Sequence, residues 1–271
     1  MPEDAAVPDS APEDLVFHYD QETGAAVALF SRDHVIHVVF RGTRSGRPGG
    51  IDRLHNTMMD LDPIPFAADP RHRAHRGFLK RYLALRRTIW NDIHRLQQDA
   101  PASALRAYGH SSGAAAALLF ALDAATPLSP GSAQRATDSP PPAARATVPP
   151  LPLTVTTFGA PRVLNRHAAA WLGDLHATSD GVEIVRIHNR GDLIPVMPPA
   201  LFGYRHPVDA TAIGSHGLLP ISFSAHHPGY GRELADLAAP AAARRRDPAA
   251  WLDDARTLRE EHREEPRTPS R

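Results

Sequence analysis

Apolar and polar positions change period several times along the chain. Phe78, Tyr82, Leu85, Ile89, Ile93 and Leu96 recur at steps of three and four, which predicts an amphipathic helix over 78–98, closed by Pro101. Shorter apolar runs at 25–30, 35–40, 105–108 and 153–158 read as strands, and the β-branched run from Val182 to Ile187 reads as another. Ser112 to Ala125, rich in Ala and Leu, predicts a second helix directly after the 105–108 strand. Between Thr126 and Pro150 the pattern gives way to a proline-rich, aperiodic stretch, expected to be a disordered insertion. Residues 1–13 are acidic and proline-containing, and 238–271 are densely charged, so both ends are expected to lie outside the core, the second as a disordered or solvated helical tail.

The junction of the 105–108 strand with its helix carries the chemistry. Tyr108-Gly109-His110-Ser111-Ser112-Gly113 fits G-x-S-x-G at a strand-to-helix turn, where glycines let the backbone pass close to itself and one serine projects above the sheet. Ser111 is the candidate nucleophile. A hydroxyl is a poor nucleophile at neutral pH, so it needs a base and a carboxylate that orients the base. Asp192 sits just past the 182–187 strand in Asn189-Arg190-Gly191-Asp192-Leu193-Ile194-Pro195, at the strand-end edge from which the elbow serine also projects. For the base, the pair His226-His227 and the earlier His216 are candidates; spacing alone does not choose, and order along the chain favours the pair.

These residues belong to a longer series of landmarks in order. Val38-Val39-Phe40-Arg41-Gly42-Thr43 precedes His75-Arg76-Gly77-Phe78; the elbow follows, then Thr157 to Val163, then Asp192-Leu193-Ile194-Pro195 with Pro198-Pro199, and finally Gly203-Tyr204-Arg205-His206. Over about residues 14–235 the chain resembles the class 3, fungal-type lipases of the α/β-hydrolase superfamily. The resemblance implies an α/β-hydrolase fold, with a central mostly parallel sheet flanked by helices and a short cap, in one domain over 14–237. It implies a triad of Ser111, Asp192 and His226, with His227 as alternate because the spacing to the following tyrosine varies. It also implies an oxyanion hole made by Thr43 and the backbone N–H of Ser112. The expected activity is cleavage of carboxylic esters of lipids through an acyl-enzyme, by a lipase, phospholipase A1 or carboxylesterase; the competing reading is a non-catalytic module that binds an apolar ligand or partner. Three positions depart from the family pattern: Ser112 stands where leucine is usual, Ala114 where a second glycine is common, and Arg53 where a tryptophan is usual.

Residues 44–74 are the expected cap, with Gly46, Gly49 and Gly50 as hinges and Met58, Met59, Leu61, Ile64 and Phe66 as an apolar face over the site or against the sheet edge. Composition narrows the remainder. Thirty acidic residues balance 30 Lys plus Arg, which offers no basic excess for nucleic acid and no steering toward an anionic membrane, leaving at most a transient contact with a lipid interface. There is no cysteine, so no disulfide braces the fold and neither redox compartment is indicated; with no basic leader followed by an apolar stretch and no run of about 18 apolar residues, a soluble, cytoplasmic protein is expected. His72 with His75, and His34 with His37, have metal-like spacing, but no cysteine or carboxylate cluster completes a shell. No cofactor is expected, because a serine triad supplies its own nucleophile and base.

Overall fold

The apolar runs pair edge to edge into a seven-stranded sheet. In the computed structural model, which describes residues 14–43, 50–67, 69–126, 145, 148, 150–178, 181–214 and 226, the strands are β1 (Val16–Tyr19), β2 (Ala26–Arg32), β3 (Val35–Phe40), β6 (Ala104–His110), β7 (Leu153–Phe158), β9 (Val182–Asn189) and β11 (Thr211–Ile213). They lie side by side in that order. The first two pairings are antiparallel and the other four parallel. Register places Leu29, Val38, Ala107, Val155 and Ile184 in one lateral row, all of them buried.

Two helices cover this buried face. The long helix α2 (Arg76–Asp99) turns in Phe78, Tyr82, Leu85, Ile89, Ile93 and Leu96, the six residues whose spacing predicts it. The helix α3 (Ser112–Ala125) is buried along nearly all its length and packs on α2, β3, β6 and β7. A polar cluster fastens the two helices. The Asp123 carboxylate accepts from Tyr82 Oη at 2.6 Å, Arg86 Nε at 2.7 Å and Trp90 Nε1 at 3.0 Å, with Arg145 Nε 3.8 Å away. Burial pushes this carboxyl's pKa up, but the Arg86 hydrogen bonds and charge, with Arg145, outweigh it and hold the group ionised below its ordinary value.

A second, four-stranded antiparallel sheet lies in the order β10 (Tyr204–Arg205), β8 (Leu164–Asn165), β5 (Arg73–His75) and β4 (Pro63–Pro65). The helix α4 (Arg166–Thr178) follows β8 and packs on β9. His75, fully buried, joins this sheet to its surroundings. Its ring packs against Phe78 and Tyr204, and its Nε2 lies 3.3 Å from Met58 O at the end of α1 (Gly50–Met59). Tyr204 Oη donates to Leu61 O, and Asp60 pairs with Arg76 and Lys80.

The expected cap is therefore divided. Phe66 is a core residue set edge-on to Tyr82, and Met58 and Ile64 pack against the core, so these three do not form a free apolar face. Met59 is 59% exposed and Leu61 half-buried. Gly50 opens α1, while Gly46 and Gly49 lie outside the described residues, as do 1–13, nearly all of the proline-rich insertion and the charged tail. β1 and the short strands of the second sheet were not expected from the sequence. Among the described residues no helix is long and apolar enough to cross a membrane.

Candidate active site

β6 runs straight into α3, and Ser111 makes the turn between them. Its backbone has φ 57° and ψ −123°, a conformation rare for a residue with a side chain. The turn is tight enough that a Cβ on Gly109 would lie 2.2 Å from Gly113 O, and one on Gly113 would lie 2.3 Å from Phe40 O. No side chain fits at either position, which is why the elbow needs glycine at both. Ser111 N–H donates to Phe158 O at 2.9 Å on the neighbouring strand, so the strained residue is held from both sides.

Asp192 lies three residues past the end of β9, after Gly191 turns the chain with φ 80°. Ile194 N–H donates to its Oδ1 at 2.9 Å, and its Oδ2 lies 2.8 Å from His226 Nδ1. A carboxylate accepts hydrogen bonds and does not donate, so the Nδ1 proton belongs to the imidazole, and in the neutral ring Nε2 is the atom with the lone pair. Both groups are buried, Asp192 at 6% exposure and His226 at 6%. The sequence left His226 and His227 open; His226 is the one set on Asp192, whereas His227 and His216 lie outside the described residues.

His110, directly before Ser111, brings the serine and histidine elements together. Its ring stacks on that of His226 with centroids 4.6 Å apart and planes 26° apart, and its Nε2 lies 3.1 Å from His226 O. Sequence reading gave it no role. The available signal was its place between Gly109 and Ser111, where a side chain one residue from the elbow serine leaves β6 beside the site.

Thr43 follows β3 and is half-buried, with its Oγ1 2.9 Å from Ser112 Oγ. Ala115 N–H to Ser111 O, at 3.2 Å, starts the bonding of α3, which leaves the N–H of Ser112 without an acceptor inside the helix. Thr43 and Ser112, expected on the grounds of resemblance to share the oxyanion hole, are thus neighbours at the mouth of the elbow. The metal-like histidines are used otherwise: His75 as described, His72 against Trp171, and His37 stacked between Phe30 and Tyr108. Among the described residues no group of three His, Cys, Asp or Glu could hold a metal ion.

A buried Asp–His pair stacked on the residue that precedes a strained strand-to-helix serine, on the strand-end edge of a mostly parallel sheet, defines a protein of α/β-hydrolase fold. Residues 37–202 match the family Lipase (class 3), and the chain belongs to that family. It is similar to lipase A of Sodiomyces alcalophilus, 30% identical over 199 residues, covering 64% of this chain and 41% of that protein. It is also similar to a lipase of Rhizopus niveus, 29% identical, covering 69% of this chain and 40% of the relative. The match therefore spans well under half the length of either relative. Among solved structures, a fungal lipase in complex with an inhibitor shares the fold at a TM-score of 0.60 and 22% identity, covering 82% of each chain.

Proposed function

We propose that the protein is a serine-triad ester hydrolase acting on carboxylic esters of lipids. The observation that carries this reading is the 2.8 Å contact between Asp192 and His226, stacked on the residue that precedes Ser111. His226 Nε2 takes the Ser111 proton as Oγ bonds to the acyl carbon, and the carbonyl electron pair moves onto oxygen. Thr43 and the Ser112 N–H donate to that oxyanion, each such donor being worth about 3 kcal/mol of barrier. Collapse breaks the bond to the alcohol, which leaves with the proton from His226; water then repeats the sequence on the acyl-enzyme. Asp192 holds the imidazole in the required tautomer throughout.

Lipid esters are favoured over other acyl substrates by the company the chain keeps, since both relatives above are named lipases. The test is turnover of p-nitrophenyl esters from two to sixteen carbons by the wild type and by Ser111→Ala, with a fluorophosphonate label read by intact mass. Labelling and turnover in the wild type, and a loss of at least about 10³-fold in Ser111→Ala, are expected. The chain-length optimum then separates lipase from esterase. Neither labelling nor turnover at any length, with or without lipid vesicles, would instead identify a binding module.

A further inference from the structure

Ser112 contributes more than its backbone N–H. Its hydroxyl, on a residue only 4% exposed in the first turn of α3, lies 2.9 Å from the Thr43 hydroxyl across a sequence separation of 69 residues. A leucine or alanine at this position would keep the N–H and lose that contact. We propose that the Ser112 side chain is a positioning residue for Thr43, holding the Thr43 hydroxyl in place and supplying the hydrogen bond that frees its proton for the substrate oxyanion. The inference rests on the ester-hydrolase reading above and extends it to a side chain that reading leaves idle.

A threonine hydroxyl has one proton and two lone pairs. Before substrate arrives, either oxygen of the pair can be the donor. Once an oxyanion sits against Thr43, the Thr43 proton must point to it, and the bond to Ser112 survives only if Ser112 becomes the donor. Both changes are rotations about C–O bonds, so no heavy atom moves. The result is a chain in which Ser112 O–H donates to Thr43 Oγ1 and Thr43 O–H donates to the oxyanion. A hydroxyl that accepts a hydrogen bond is a stronger donor, so the chain strengthens the contact that stabilises the transition state. Thr43 has particular need of such a hold. It follows the end of β3 on an irregular stretch, while Ser112 is fixed in a helix packed on three strands.

The experiment is a double-mutant cycle on the full chain with p-nitrophenyl butyrate as substrate. Ser112→Ala is expected to lower kcat about 10-fold with KM within about twofold, because the lost contact matters mainly in the transition state. Thr43→Ala is expected to lose on the order of 10²-fold. Adding Ser112→Ala to Thr43→Ala should then cost less than about twofold more, since the residue through which Ser112 acts is gone. Ser112→Thr, which keeps the hydroxyl, should stay within about threefold of wild type. Ser112→Cys, which keeps the volume and loses the strong donor, should resemble Ser112→Ala and serves in its place if the alanine variant does not fold. Wild-type kcat in Ser112→Ala and Ser112→Cys would overturn the proposal, as would an equal loss in the Thr43 and Thr43→Ala backgrounds, which would mark a merely structural serine. Absence of both turnover and fluorophosphonate labelling in the wild type would overturn the ester-hydrolase reading and this inference with it.

Discussion

At Ser111 the backbone holds φ 57° and ψ −123° with a side chain attached, at a cost on the order of 1–3 kcal/mol. Alanine keeps that cost and glycine relieves it. Ser111→Gly is therefore expected to melt about 2–4 °C above Ser111→Ala, although both are inactive; equal melting temperatures would show that the elbow is unstrained. Asp192 and His110 offer a second comparison. Asp192→Asn leaves the Ile194 N–H bond in place but presents an amide to Nδ1, favouring the wrong tautomer, and should lower kcat by at least about 10²-fold with the fold intact. His110→Ala removes the stack and the contact to His226 O and should cost less, about 10-fold in kcat, measured in the same ester assay. The places of Ser111 and Asp192 in the candidate site were legible because each sits at a strand end marked by glycine. His226 was legible only as one of a pair, because its distinguishing feature is a contact 34 residues away. The Ser112 hydroxyl was not legible at all, since its partner is distant in sequence.

Among elements, the junction of α2 with α3 turns on one carboxylate. Asp123 is 2% exposed and faces Tyr82, Arg86, Trp90 and Arg145. Asp123→Ala would remove the carboxylate that takes two hydrogen bonds from the buried Arg86 guanidinium, and a loss of about 3–5 kcal/mol in urea denaturation is expected, far above that of an exposed Asp99→Ala control. An acid inside an otherwise apolar helix was the visible clue to this cluster, though no spacing rule named its partners. The long elements were readable: α2 runs from 76 to 99 where 78 to 98 was expected, and α3, β3 and β7 fall on the expected residues. The short ones were not. β1 has four residues and β8 and β10 two each, too few for a period, while β4 carries two prolines that argue against a strand. The pairings of β4, β8 and β10 come with the packing around His75 and Tyr204, which local pattern does not encode.

For the molecule as a whole, that packing carries an acid sensitivity. Burial pushes the His75 pKa down to about 4, despite the Met58 carbonyl and Asp60, and burial beside Arg186 pushes His206 down to about 3. Both are neutral in the folded protein at pH values where the unfolded chain protonates them. Stability is therefore full above about pH 6.5 and falls as pH drops from there toward 4, by about 3 kcal/mol for His75. His75→Phe should be less stable than wild type at pH 7.5, having lost the Met58 contact, yet show a shallower decline in urea midpoint between pH 7 and 4.5; an unchanged slope would place the proton uptake elsewhere. The same body of the protein also sets where the chain can be cut and rejoined. Arg145 returns to the C-terminal end of α3, with its guanidinium donating to Ala124 O and Thr126 O. Thr126 and Arg145 are therefore tied together by one side chain, so a short glycine linker in place of residues 127–144 has only the reach of that side chain to span.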